Sequence, residues 1–254
     1  MNIHYRLDGP EKAPVLVLSN SLGTTLSLWD AQLSELTQRF RVLRYDTHGH
    51  GQTTKRGKVT LSQLGEDVIT LLDHLNIEKA HFCGISMGGL TGLWLARFAP
   101  ERFYSIAVAN TAARIGEQAN WLSRARTVRS EGMDVVAAGS ADRWFTRDYR
   151  QHQPATVEQL CHQLAHSDAQ GYAECCEALA AADLRAEVAA ITLPMLIIAG
   201  EHDPVTTVVD ADYLHQQING SFLVELPASH LSNVEASDEF TAAIVAFFRR
   251  EHEQ

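Results

Sequence analysis

The feature that most constrains this chain is the pentapeptide at residues 84–88, Gly-Ile-Ser-Met-Gly, which lies between a strand pattern and a helix pattern. The short apolar run 80–83 predicts a buried strand, and residues 90–98 carry apolar side chains at helical spacing. A G-x-S-x-G turn between a strand and a helix is typical of a nucleophile elbow, with Ser86 at its apex. The alternative is a glycine-rich turn in which Ser86 only caps the helix.

Strand patterns alternate with helix patterns along most of the chain. Continuous apolar runs predict strands covered on both faces, and a capping box at Thr60 and Gln63 predicts a helix start. The alternation predicts an α/β fold with a mostly parallel sheet flanked by helices. The predicted strands span 3–7, 15–18, 41–45, 80–83, 104–109, 195–199 and 222–226, and further helices are predicted at 29–36, 208–217 and 240–250.

One segment breaks this alternation. Residues 113–190 contain no convincing strand and have apolar residues at helical spacing, which predicts an inserted helical cap. The predicted domain division is therefore a core of 1–112 and 191–254 with a cap of 113–190. The cap contains eight arginines and no lysine.

Composition excludes several classes of function. A formal net charge of −10 argues against a nucleic-acid binder, which needs a basic face. No apolar run approaches the roughly 20 residues of a membrane span, and the N-terminus lacks the pattern of a signal peptide. The four cysteines have no metal-site spacing, which favours a reducing, cytoplasmic location without a metal or cofactor.

Two polar residues follow later strands in the order that a serine hydrolase of this fold requires, namely Ser, acid, His. Asp203 lies just beyond the strand 195–199, and His230 lies just beyond the strand 222–226. The carboxyl ends of parallel strands meet at one sheet edge, where ligands bind in open α/β sheets. The sequence therefore predicts a catalytic triad of Ser86, His230 and Asp203, with His230 as base and Asp203 fixing its tautomer.

An oxyanion hole needs two backbone N–H groups. One is predicted from Met87, the residue after the nucleophile, at the start of its helix. The other is predicted from Leu22, in the loop that follows the strand 15–18.

His48 and His50, with Asp46 nearby, raise the alternative of a metal site. The loop supplies no complete ligand set, so we expect no metal there. A structural role is favoured instead, in which Asp46 and His48 tie together loops beneath the site.

Over essentially its whole length the chain resembles the α/β-hydrolase superfamily, and within it the 3-oxoadipate enol-lactonases. Most α/β-hydrolases carry His-Gly where this chain has Asn20-Ser21, and the Asn-Ser-Leu-Gly form resembles the lactonase variant. The resemblance rests on the segments 19–25 (SNSLGTT), 44–51 (RYDTHGHG), 83–89 (CGISMGG), 199–204 (AGEHDP) and 227–230 (PASH).

The resemblance implies hydrolysis of a small enol-lactone that carries a carboxymethyl side chain, in the beta-ketoadipate pathway of aromatic catabolism. The substrate carboxylate would need a cation, and an arginine offers a planar fork matched to it. Among the cap arginines we favour Arg143, beside Trp144 as part of the pocket wall, and then Arg124. The expected partner is thus a small lactone acid, with no nucleic acid, no membrane and no specified oligomeric state.

Other functions are also compatible with these residues. A carboxylesterase or a carbon–carbon bond hydrolase on the same scaffold would share every catalytic residue. A small-molecule receptor that retains the triad without turnover is a third class. A haloalkane dehalogenase would need Asp in place of Ser86 and is excluded. The sequence also leaves open whether Ser86 is acylated or His230 activates water directly.

Overall fold

The computed structural model describes residues 2–54 and 57–252, and its centre is a single sheet. The strands are β1 (Tyr5–Asp8), β2 (Val15–Ser19), β3 (Arg41–Tyr45), β4 (Ala80–Ile85), β5 (Phe103–Ala109), β6 (Met195–Gly200) and β7 (Phe222–Leu226). They lie in the order β1-β3-β2-β4-β5-β6-β7. β1 runs antiparallel to β3, and all other neighbours are parallel. The predicted mostly parallel sheet is confirmed.

Helices cover the sheet and form a layer above its carboxyl edge. They are α1 (Asp30–Leu36), α2 (Leu61–His74), α3 (Met87–Phe98), α4 (Gln118–Glu131), α5 (Asp134–Ala137), α6 (Ser140–Trp144), α7 (Arg147–His152), α8 (Pro154–Ala165), α9 (Ala169–Ala181), α10 (Val208–Gln217), α11 (Ser232–Glu235) and α12 (Ser237–His252). Short 3-10 helices span Leu26–Trp29, Pro100–Arg102 and Val188–Ala190.

The core lies on both faces of the central strands. Every residue of β2, β4 and β6 is buried, as expected for strands of a parallel sheet that helices cover on both sides. The apolar stripe of α2 is buried and the helix packs against α3. The capping box of Thr60 and Gln63 begins α2 as predicted.

Element boundaries differ from prediction where local geometry overrides periodicity. The predicted helix at 29–36 is a 3-10 turn up to Trp29 followed by α1. The helix after Ser86, α3, begins at Met87, three residues before Leu90, the first apolar residue of the predicted helical pattern. The pattern misses this first turn because Gly88 and Gly89 carry no apolar side chain. The first strand begins at Tyr5 instead of residue 3, although the His4 carbonyl still accepts a hydrogen bond from the Asp46 amide.

The segment between β5 and β6 contains helices α4 to α9 and, among its residues 113–190, no strand. Its two ends are adjacent, since the Leu184 amide donates a 2.8 Å hydrogen bond to the Ala113 carbonyl. The segment also contacts the core directly: a Cβ added to Gly171 of α9 would lie 2.2 Å from the carbonyl oxygen of Gly49, in the loop after β3. The domain bounds 1–112, 113–190 and 191–254 stay a prediction. Within residues 2–54 and 57–252, no helix has the length and apolar character needed to cross a bilayer.

We predict that Gly65→Ala destabilises the fold, although alanine ordinarily favours helices over glycine. A Cβ at this position of α2 would lie 2.1 Å from Cε3 of Trp94 on α3. The indole must move, which should lower the free energy of unfolding by about 1–3 kcal/mol. Urea unfolding measures it, with Thr70→Ala on the exposed face of α2 as the control. A Gly65→Ala protein as stable as wild type would contradict this packing.

Candidate active site

Ser86 lies at the apex of a strained turn between β4 and α3. Its backbone has φ 57° and ψ −116°, and a Cβ on Gly84 would lie 2.0 Å from the carbonyl oxygen of Gly88. The Ser86 amide donates to the carbonyl of Ala109 at 2.8 Å, and its own carbonyl accepts from the Thr111 hydroxyl at 2.8 Å. The turn is thus fixed from both sides, with the Ser86 side chain at the carboxyl edge of the sheet.

The structure brings together the three residues predicted as a triad, which are far apart in the chain. Nε2 of His230 lies 2.9 Å from Oγ of Ser86, and Nδ1 of His230 lies 2.8 Å from Oδ2 of Asp203. Because the Asp203 carboxylate accepts from Nδ1, Nε2 is free to take a proton from the Ser86 hydroxyl. All three side chains are buried beneath the cap.

The Asp203 carboxylate is held in its ionised form. Burial acts most strongly on it and raises its pKa, but the His230 contact, the Asn110 amide and the Val205 N–H together outweigh burial and lower it. Both oxygens have donors: Oδ1 accepts from the amides of Val205 and Thr206, and Oδ2 also accepts from the Thr206 hydroxyl. The carboxylate can therefore stabilise a positive His230 during catalysis.

Asn110, which was not singled out from the sequence, joins the two loops of the triad. Its Nδ2 donates to Oδ2 of Asp203 and to the carbonyl of Ser229, each at 3.0 Å. Its Oδ1 accepts from the Ser232 hydroxyl at 2.5 Å, and its backbone is left-handed, with φ 46°. The sequence signal for this residue is an asparagine directly after the buried strand β5, because asparagine tolerates the left-handed conformation better than most residues.

The two predicted oxyanion donors lie where two backbone segments meet. The Gly88 amide donates to the carbonyl of Asn20 at 3.1 Å, and a Cβ on Gly88 would lie 2.3 Å from the Ser19 carbonyl oxygen. This contact holds the loop containing Leu22 against the N-terminus of α3. Met87 is the first residue of that helix, so its N–H has no acceptor within the helix.

The Leu22 N–H is oriented by a turn. The carbonyl of Ser21 accepts from the Thr24 amide at 3.2 Å and from the Thr24 hydroxyl at 2.7 Å. In a trans peptide the C=O and the following N–H point in opposite directions. With the Ser21 carbonyl directed at Thr24, the N–H of Leu22 points the other way.

A cavity of about 240 Å³ opens above Ser86 and His230. Its volume is slightly below the range typical of drug-sized ligand pockets, so it suits a small molecule rather than a long-chain ester. The predicted residues Leu22, Arg124, Arg143 and Trp144 all line it. The remaining lining residues are Ser21, Ile115, Gly116, Glu117, Asn120, Trp121, Leu164, Tyr172, Pro204 and Val205.

Arg124 and Arg143 give one wall of this cavity a positive charge. Arg124 lies over the Trp121 ring, 4.8 Å from its centroid, and Nη2 of Arg143 donates to the Val136 carbonyl at 3.0 Å. Burial and then the charge of Arg124 lower the pKa of Arg143, which an arginine tolerates without losing its charge. Among the described residues, no carboxylate forms an ion pair with either guanidinium.

The other six cap arginines are either paired with carboxylates or exposed to solvent. Arg114, Arg129, Arg150 and Arg185 each form an ion pair with a cap carboxylate. Arg126 and Arg147 are exposed to solvent. The two half-buried, unpaired guanidiniums are therefore the ones that face the cavity.

Trp144 and Tyr172 complete the walls. Trp144 is buried, and its carbonyl accepts from the Leu231 amide at 3.1 Å, which docks α6 on the loop of His230. Burial raises the pKa of Tyr172 to about 12, so its hydroxyl stays protonated and can donate a hydrogen bond.

Asp46 and His48 connect loops beneath the site, as expected from the sequence. The Asp46 carboxylate accepts from the amides of Leu26 and Gln52, at 2.8 and 2.9 Å. Nε2 of His48 lies 2.7 Å from the carboxylate of Glu174 on α9. His48 thereby ties a core loop to the cap.

Comparisons with known proteins agree with this geometry. A family model described as alpha/beta hydrolase fold matches residues 14–237. The chain is similar to 3-oxoadipate enol-lactonase 2 of Acinetobacter baylyi, at 50% identity over 98% of this chain and 93% of the relative. It is also similar to 3-oxoadipate enol-lactonase 1 of that organism, at 46% identity over 97% of this chain and 93% of the relative.

A solved structure is similar to nearly the whole chain. The crystal structure of the enol-lactonase from Burkholderia xenovorans LB400 superposes with a TM-score of 0.95 at 47% identity, and the match covers 97% of this chain and 96% of that one.

We predict that Asn110→Ala loses about 1–3 kcal/mol of unfolding free energy at pH 7, because buried acceptors lose their donor. The Asn110 bond helps to lower the pKa of Asp203, so this stabilisation exists above the unfolded-state pKa of about 3.9 and is lost as pH falls through the lower folded-state pKa. Urea unfolding from pH 7 down to pH 3 should show the difference from wild type shrinking below about pH 4.

The matched control for this prediction is Asn76→Ala. Asn76 is exposed and also left-handed, with φ 54°, so its substitution measures the backbone effect without a carboxylate contact. Equal, pH-independent losses in both variants would show that the Asn110 amide does not stabilise the Asp203 carboxylate.

Proposed function

This chain belongs to the α/β-hydrolase fold family, and we propose that it is a serine hydrolase that opens the lactone ring of 3-oxoadipate enol-lactone with water to give 3-oxoadipate. The reaction is a step of the beta-ketoadipate pathway of aromatic compound catabolism. The proposal is supported by the full-length similarity to two enol-lactonases and by the chemistry of the cavity.

One observation carries the substrate assignment: a single small cavity has a serine–histidine pair on one wall and two unpaired guanidiniums on another. The pair suits attack on an ester or lactone carbonyl. The guanidiniums suit a carboxylate on the same molecule, which they can bind through parallel N–H donors. A small lactone that carries a carboxylate satisfies both walls at once.

In the proposed mechanism, Oγ of Ser86 attacks the lactone carbonyl carbon while Nε2 of His230 accepts the hydroxyl proton. The carbonyl oxygen becomes an oxyanion, which the N–H groups of Leu22 and Met87 stabilise. Collapse breaks the ring C–O bond, and His230 returns the proton to the departing enol oxygen. The enol tautomerises to a ketone, which makes the ring opening effectively irreversible.

The second half-reaction repeats these roles with water. His230 accepts a proton from a water molecule that attacks the acyl group, and Ser86 leaves with that proton. A second route has no acyl-enzyme: His230 activates water against the lactone carbonyl directly, the oxyanion donors are the same, and Ser86 is not the nucleophile. Asp203 fixes the His230 tautomer in both routes.

Arg143 and Arg124 position the substrate carboxylate in this proposal, and Trp144 forms the wall beside them. Their positive field also offsets the acidic character of the chain, whose formal net charge is −10. A short-range cationic wall is sufficient for an anionic substrate, because charges beyond about 10 Å are screened by salt.

We place the enzyme in the cytoplasm. All four cysteines are free thiols, and Cys83, Cys175 and Cys176 are buried. Unpaired thiols are usual in a reducing compartment.

We predict that wild-type enzyme rapidly removes the ultraviolet absorbance of the enol-lactone and that Ser86→Ala lowers kcat by about 10⁴- to 10⁶-fold, because the nucleophile is lost. Circular dichroism and urea unfolding serve as controls for folding. Brisk hydrolysis of small neutral esters without lactone turnover would favour a carboxylesterase. Binding of the lactone without turnover by wild type would favour a receptor.

We predict that Arg143→Ala lowers kcat/KM for the lactone acid by about 30-fold or more, because a charge-assisted contact to the carboxylate is lost. Hydrolysis of p-nitrophenyl acetate, which carries no carboxylate, should change by less than about 3-fold. Arg126→Ala is the matched control, since it removes the same charge from the exposed face of α4. An equal loss on both substrates would contradict the assigned role.

A further inference from the structure

His50 is a buried histidine that the proposed mechanism does not use, and both of its ring nitrogens have backbone partners. Its Nε2 accepts a hydrogen bond from the Gly23 amide at 2.9 Å. Its Nδ1 lies 2.8 Å from the carbonyl oxygen of His48. The side chain is 2% exposed, so water does not replace either partner.

These two partners dictate the protonation of the ring. A carbonyl oxygen can only accept, so Nδ1 must carry a hydrogen, and an amide N–H can only donate, so Nε2 must be bare. Only the neutral Nδ1–H tautomer satisfies both contacts. Burial lowers the pKa of His50, against the opposing effects of the His48 carbonyl and Asp46, which is consistent with a neutral ring.

The amide that His50 binds belongs to the peptide directly after Leu22. The peptide before Leu22 is fixed by the two donors of Thr24, and the peptide after it is fixed by Nε2 of His50. Both peptide planes that flank the Leu22 Cα are therefore anchored. Gly23 has φ 79°, the conformation that a type II turn requires at its third residue. A glycine has wide conformational freedom, so the hydrogen bonds from Thr24 and to His50 are what hold the loop in one shape.

We propose that His50 is a positioning residue for the oxyanion hole: as a neutral acceptor for the Gly23 N–H, it fixes the direction of the adjacent Leu22 N–H. The proposal rests on the part of the proposed function that makes the chain a serine hydrolase, and not on the identity of the lactone. It does not require His50 to touch the substrate.

Helix α9 of the cap contacts His50 and the neighbouring His48. The carbonyl of His48 that binds Nδ1 also accepts from the Cys175 thiol, and the His48 ring contacts Glu174. The His50 ring also lies 6.4 Å, centroid to centroid, from that of Tyr172. Helix α9 thus supports the same histidine that supports the oxyanion loop.

The test compares His50→Phe, which keeps an aromatic ring beside Tyr172 but removes the acceptor, with His50→Gln, whose amide oxygen can still accept from Gly23. The control is His81→Phe, which replaces another buried histidine, one that bonds Ser105 within the sheet. Each variant is measured with the enol-lactone and with p-nitrophenyl acetate. Binding of a small boronic acid, which forms a tetrahedral adduct with a catalytic serine, is measured in parallel.

His50→Phe should lower kcat by about 10- to 100-fold on either substrate, with KM changed by less than about 3-fold, because a misdirected donor weakens only the transition state. Boronic acid affinity should fall with kcat, and His50→Gln should recover most of both. His81→Phe should retain kcat. A folded His50→Phe enzyme with wild-type kcat, or equal losses in His50→Phe and His50→Gln, would overturn the proposal.

A measurement on the wild-type enzyme covers the case in which His50→Phe does not fold. The ¹⁵N chemical shifts of the His50 ring at pH 7 should show a protonated Nδ1 and a bare Nε2. An Nε2–H tautomer or an imidazolium would overturn the proposal. If wild type hydrolyses p-nitrophenyl acetate but not the enol-lactone, the substrate assignment fails, while the His50 variants still test the oxyanion loop on the ester.

Discussion

The backbone of Ser86 adopts a conformation that costs an ordinary residue about 1–3 kcal/mol, and the surrounding chain holds it there. The contact of Gly84 with Gly88 closes the turn, and the contact of Gly88 with Ser19 brings the neighbouring loop against it. Because the same turn begins α3, one constraint fixes the nucleophile, the start of a helix dipole and the oxyanion loop. A side chain at either glycine would separate these parts.

The cap supplies what the sheet edge lacks, which is positive charge. The sheet edge contributes Ser86, Asp203 and His230, while Arg124 and Arg143 come from α4 and α6. Four of the other cap arginines are neutralised by carboxylates on the same cap. In the proposed function, specificity for a small acid depends on which guanidiniums remain unpaired, whereas the capacity for acyl transfer depends on the core.

The sequence allowed prediction of the parallel sheet and of residues placed by it. Ser86 and Asp203 could be found because each follows a buried apolar strand, and His230 because it follows the edge strand β7. The carboxyl ends of these parallel strands converge. The position of Arg143 beside Trp144 favours it as part of the pocket wall, and both residues line the cavity. These assignments needed only periodicity, chain order and residue chemistry.

Other features could not be predicted in this way, because they depend on contacts between distant segments. The role of Asn110 depends on a carboxylate 93 residues away, and that of His50 depends on an amide 27 residues away. No periodicity marks either contact. Helix packing likewise decides which cap arginines have a carboxylate partner. Arg129 and Glu177, for example, form an ion pair because they lie on neighbouring helices.

A crystal structure of Ser86→Ala with the enol-lactone bound would test the central claim most directly, namely that one cavity binds the acyl group beside position 86 and the carboxylate at the two cap guanidiniums. We predict the lactone carbonyl oxygen directed at the N–H groups of Leu22 and Met87, and the carboxylate between Arg124 and Arg143. A carboxylate bound elsewhere, or a carbonyl directed away from position 86, would contradict the account.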